Sequence, residues 1–162
     1  MTARIEQPIA EIEAFGEVFE WYGPRNEASV AQLERALGAK LPPSYRAFLF
    51  RYGGGGTRAY DGISGIYGND PLSMQLGATY GDTMRMRNDR GVPARLIVIE
   101  RGDEHFPPMC LDTSCPALDG EFPVVGFWLT SRTVSAVSHA TFAEYRAHSL
   151  ATTLEVIRDE QS

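Results

Sequence analysis

The sequence predicts a single α+β domain in which a central, mainly antiparallel, twisted sheet is flanked by N-terminal and C-terminal helices. Three observations carry this. Apolar residues recur at helical spacing up to Tyr52 and again after Thr141, strand-like runs fill the middle of the chain, and Gly102-Asp103 and Asp119-Gly120 form turns between successive runs. Short turns join antiparallel neighbours, whereas parallel strands need a long crossover, and strands so paired twist in one hand. The length of 162 residues suits one domain, which can remove roughly 70% of its unfolded surface from water. With no repeat and no low-complexity linker, residues 1–162 are assigned to one unit.

Ile12, Phe15, Phe19 and Tyr22 return to one face of a first helix running from Ile9 to Tyr22, which Gly23-Pro24 ends. Ser29 opens a second helix as a capping box with Gln32; Val30, Leu33 and Leu37 form its stripe and Gly38 stops it. Leu41-Pro42-Pro43 breaks the chain, because proline disfavours helix in the residue before it and is welcome in a first turn. Tyr45, Phe48, Leu49 and Tyr52 mark a third helix, closed by the run Gly53 to Gly56.

Strands are expected near Ile63 to Tyr67, Arg95 to Arg101, Pro108 to Asp112 and Phe122 to Leu129. Between the first two, Asn69 to Pro93 reads as part loop and part short helix. Thr141, with Glu144 three residues on, caps a last helix whose stripe runs through Phe142, Tyr145, Leu150, Leu154 and Ile157, with a bend expected near Ser149. The terminal Asp-Glu-Gln-Ser is expected to fray.

The formal net charge is −6, which opposes binding to nucleic-acid phosphates. No Lys or Arg occurs between Gly102 and Ser131, where Asp103, Glu104, Asp112, Asp119 and Glu121 all fall. That bias predicts an acidic face for a basic partner, with Tyr67 or Trp128 at its apolar centre. The apolar runs Leu96 to Ile99 and Val124 to Leu129 are far shorter than the roughly 20 residues of a bilayer span. The amino terminus, with an acidic residue and a proline, lacks the basic end and apolar core of a signal peptide. A cytoplasmic protein is expected, with Cys110 and Cys115 as reduced thiols.

The segment from Val30 to Gly55 resembles the opening of SUKH domains (Smi1/Knr4-like) through Glu34, Leu37, Gly38, Leu41, Pro42, Tyr45, Phe48, Leu49, Gly53 and Gly54. Arg95-Leu-Ile-Val-Ile is similar to that superfamily's apolar strand, Leu111-Asp112 to its Leu-Asp strand end, and Glu121-Phe-Pro-Val-Val-Gly-Phe-Trp to its Pro-Val strand. Thr141-Phe-Ala-Glu-Tyr is similar to its closing helix start. The resemblance covers residues 29–145, leaving 1–28 as a leading helix and 146–162 as the C-terminal helix. It implies a sheet flanked by helices and an immunity protein that neutralises a cognate toxin by binding it. The alternative is a scaffold or regulatory interaction module of the same fold.

Catalytic readings fail on the residues. Gly53 to Gly56 follows a helix and is followed by Thr57-Arg58, whereas a phosphate loop precedes its helix and carries Lys-Ser/Thr. His105, His139 and His148 have no i, i+4 histidine partner, and Cys110 and Cys115 miss zinc-knuckle spacing. A Cys110–His105 pair has no evident orienting group. Carboxylates such as Asp103 with Glu104, or Asp119 with Glu121, sit in turns where solvation is the rule. The expectation is therefore no enzyme, no cofactor and no metal, with a protein toxin as partner and neither nucleic acid nor membrane.

Overall fold

The structure, a computed structural model, describes residues 3–60 and 62–162. Met1 and Thr2, where the signal-peptide reading begins, lie outside them. Strands β3 (Leu96–Glu100), β4 (Met109–Asp112), β5 (Val124–Trp128) and β6 (Thr133–His139) form an antiparallel meander in that order. A separate antiparallel pair joins β1 (Phe19–Trp21) to β2 (Gly55–Thr57). Among the described residues five helices surround these: α1 (Ala3–Ala14), α2 (Glu27–Leu37), α3 (Pro43–Tyr52), α4 (Thr79–Arg90) and α5 (Phe142–Glu160). The α+β class with a mainly antiparallel sheet is as the sequence predicts.

Register explains why Leu96 to Ile99 is apolar without a break. Val98 pairs with Cys110, and Cys110 with Val125, so one face of the sheet carries Leu96, Val98, Cys110, Val125 and Phe127. Ile97, Ile99, Leu111 and Val124 point to the other face. A strand covered on both sides loses the apolar–polar alternation of a half-solvated one. The second face meets the main core with Ile5, Ile9 and Ile12 of α1, Leu33 of α2, Phe48 and Leu49 of α3, and Leu150 and Leu154 of α5. Met86 of α4 packs with Val92 over the first.

The local chemistry corrects several expectations. The first helix ends at Ala14, where Gly16 takes a left-handed φ of 93°, and Phe19–Trp21 is a strand against β2. Asn26, not Ser29, caps α2: its Oδ1 accepts the Ser29 N–H at 2.9 Å. Ile63 to Tyr67 makes only isolated bridges, at Ile63 and Gly65, because it is clasped between the glycine run and β3. Thr141 caps α5 as expected, but α5 runs unbroken past Ser149 to Glu160. The edge strand β6 was not foreseen. Its two register shifts against β5 break the alternation that would have marked it.

Candidate partner-binding surface

An open groove of about 700 Å³ runs beside the end of β3, lined by Tyr60, Glu100, Arg101, Asp103, Phe106, Tyr145 and Thr152 among others. It continues through Tyr60, Glu100 and Arg101 into a second hollow of about 450 Å³ over Gly55, Gly56 and Thr57 of β2. The walls carry both signs of charge: Arg58 pairs with Glu20, and Arg101 is exposed. Tyr145 of α5 donates its hydroxyl to Glu100 across the groove.

The β3–β4 turn forms one rim. Asp103 Oδ1 accepts the N–H groups of His105 at 2.7 Å and Phe106 at 2.8 Å, while the Asp103 N–H donates to the Phe106 carbonyl at 2.7 Å. A Cβ at Gly102 would fall 2.2 Å from the Phe106 carbonyl oxygen, so the turn closes only around glycine. The Phe106 and His105 N–H groups hold the Asp103 carboxyl below its ordinary range. The turn therefore keeps its charge and shape as pH falls through the usual carboxylate range, and loosens only below the lowered value. Phe106, 73% exposed, is held out from this turn beside the exposed Glu104.

The acidic residues singled out in the sequence do not form one face. Asp103 and Glu104 sit in the β3–β4 connection and Asp119 in the β4–β5 connection, which antiparallel pairing puts at opposite ends of β4, about 10 Å or more apart. Asp112 is buried; it takes Arg95 at 2.9 Å and both the N–H and hydroxyl of Ser114. Glu121 is also buried, accepting the N–H and hydroxyl of Ser44, each at 2.8 Å. Asp119 is exposed and accepts the Glu121 N–H. Trp128, 45% exposed, ends β5 on the same side of the sheet as the β3–β4 connection, since Met109 pairs with Gly126. Tyr67, 41% exposed, packs edge-on to Tyr22, one of the groove's lining residues.

Phe106 is a surface aromatic that the sequence expectation of Tyr67 or Trp128 at the apolar centre did not include. The available signal is its place in His105-Phe106-Pro107-Pro108, where no period of 2 or 3.6 gives the ring an inward face. Asp82 of α4 is a second, buried surprise. It accepts the Ser64 hydroxyl at 2.7 Å and the Gly77 N–H at 3.1 Å and pairs with Arg85, tying the 63–77 loop to α4.

The thiols are chemically unequal. Cys110 is fully buried, and burial pushes its thiol up to about 12, whereas Cys115 is exposed. A thiol so raised is not a nucleophile at neutral pH. Iodoacetamide is expected to alkylate one site, Cys115, in the folded protein and two in denaturant; mass spectrometry of tryptic peptides checks this. Among the described residues no group of three or more His, Cys, Asp or Glu is placed to hold a metal ion. Nor is any described helix long and apolar enough to cross a membrane.

Helices packed on a four-stranded meander, entered through Leu41-Pro42, an aromatic helix and a glycine run, define a SUKH-class domain. The chain belongs to the SUKH_5 family, whose model, described as SMI1-KNR4 cell-wall, matches residues 5–151. That match reaches back into α1, ahead of Ser29 where the sequence resemblance begins. Comparison with curated proteins gave no match.

Proposed function

We propose that this protein is an immunity protein of a bacterial cytoplasm that binds a cognate polymorphic toxin domain and blocks it by occlusion. The observation that carries the reading is the rigid β3–β4 turn, which holds exposed Phe106 between Asp103 and Glu104 at the rim of an open groove in a SUKH-family domain. Aromatic anchors ringed by polar groups concentrate binding energy once water is excluded. A toxin that acts on nucleic acid carries basic surface for its substrate, so acidic residues at the rim speed association with it. Trp128 and Tyr67 extend the surface along the sheet end and the groove wall. Asp119 contributes from the far end of β4 only if the toxin spans the sheet, and Asp112 and Glu121 act inside the fold.

The test is to co-express the protein with a polymorphic-toxin domain found encoded by a neighbouring gene, read by growth and by binding kinetics of the purified pair. Phe106→Ala is expected to cost about 2 kcal/mol of binding, roughly 30-fold in Kd, with the unfolding midpoint unchanged. Asp103→Asn with Glu104→Gln keeps the turn's acceptor and removes both charges; it should slow association and flatten its salt dependence. Growth that is not restored, or a Kd and on-rate indifferent to all three substitutions, would overturn the proposal.

A further inference from the structure

Two histidines that sequence spacing leaves apart are brought together by the fold. His139 ends β6 and His148 lies in the second turn of α5, yet His139 Nε2 stands 3.2 Å from His148 Nδ1 with the rings nearly perpendicular. On the other side of its ring, His139 Nδ1 meets the Ser138 hydroxyl at 2.8 Å. Glu144, one helical turn before His148, is near enough for its charge to act on the His139 ring. His148 and Glu144 are exposed and His139 is partly so, leaving the site open to solvent.

From this geometry we infer a binding site for a divalent transition metal, built by His139 and His148 across the β6–α5 junction. Two nitrogens on one ion at about 2.0–2.1 Å in tetrahedral array stand about 3.3 Å apart, close to the observed separation. The Ser138 hydroxyl, 2.8 Å from His139 Nδ1, can accept the Nδ1–H of the tautomer that presents Nε2 as a lone pair. This is the outer-shell contact that ligating histidines ordinarily have. With His139 in that tautomer, a proton on His148 Nδ1 facing the lone pair would move to Nε2 of its own ring on metal binding, leaving Nδ1 free to ligate with no net change in protons. The pair supplies two ligands, and water or a swing of the Glu144 carboxylate completes the shell. Imidazole with carboxylate or water suits Zn²⁺, Ni²⁺ and Cu²⁺, with Cu²⁺ bound most tightly. This site does not depend on the proposed function.

The test uses tag-free, chelator-treated protein titrated with ZnCl₂ and CuCl₂ at neutral pH by calorimetry. Saturable 1:1 binding is expected, weakened at least about tenfold by His139→Gln or by His148→Gln and left unchanged by His105→Gln. A second readout needs no variant. Substoichiometric Cu²⁺ should broaden the ring proton resonances of His139 and His148 and spare His105. Absence of saturable binding in the wild type, binding retained by both variants, or broadening confined to His105 would each overturn the inference.

Discussion

Gly55→Ala is expected to destabilise the protein by about 2–6 kcal/mol, combining about 1–3 for strained backbone with about 1–3 for overpacking. The melting temperature should then fall by about 4–24 °C. Gly55 has φ 102°, and a Cβ there would lie 2.1 Å from the Glu20 carbonyl oxygen and 3.2 Å from Trp21 Cα. Relief is blocked because β2 is held on both sides. Gly55 exchanges two backbone hydrogen bonds with Ile63, at 2.8 and 3.0 Å, while the Gly54 carbonyl accepts the Tyr22 N–H at 3.0 Å. Gly65 presses on the same run, where its own Cβ would fall 1.9 Å from the Gly53 carbonyl oxygen. The glycine run thus lets α3, β1 and the 63–66 segment meet backbone to backbone. Gly62→Ala is the control. It is exposed, has nothing within 4 Å of its Cβ position, and should change stability by less than about 0.5 kcal/mol. Thermal unfolding of the two variants side by side checks the contrast.

The same run shows where sequence reasoning reached and where it stopped. Order and spacing alone argued against a phosphate loop and for a helix stop, and Gly53 does end α3 with a left-handed φ of 73°. That Gly55 and Gly56 open a buried strand with Thr57 was hidden, because glycines have no side-chain period. Strands β3, β4 and β5 were legible through apolar runs bounded by turns. β1 was hidden because Phe19 and Tyr22 extend the spacing of Ile12 by accident of number, although Gly16 breaks the helix between them. The helix expected within Asn69 to Pro93 is α4, whose bounds were not legible for the opposite reason. Its buried positions are Thr79, Gly81, Asp82 and Thr83, so no apolar stripe announces it. The surface was the least legible part. A carboxylate in a turn reads the same whether it faces a partner, as Glu104 can, or a helix elsewhere in the chain, as Glu121 does. Only tertiary contact separates the two, and the meeting of His139 with His148 is invisible for the same reason.

That distinction makes Glu121→Ala the second large effect, an expected loss of about 2–4 kcal/mol from hydrogen bonds made to a buried charge. α3 begins at Pro43 behind Pro42, and proline has no side chain that can cap. The free N–H of Ser44 would be orphaned in the interior if nothing reached it from outside. Glu121, 77 residues along the chain, supplies the acceptor: one oxygen takes the Ser44 N–H and the other its hydroxyl, with the carboxylate also favourably placed against the positive end of the helix. Glu121→Gln keeps the shape and one acceptor oxygen but removes the charge, so a smaller loss of about 1–2 kcal/mol is expected. Urea unfolding of both variants orders them wild type, Gln, Ala. If Glu121 instead served the partner face, both variants would unfold like wild type and lose toxin binding. As an internal cap it gives the reverse: lower stability, with toxin affinity retained in whatever fraction remains folded.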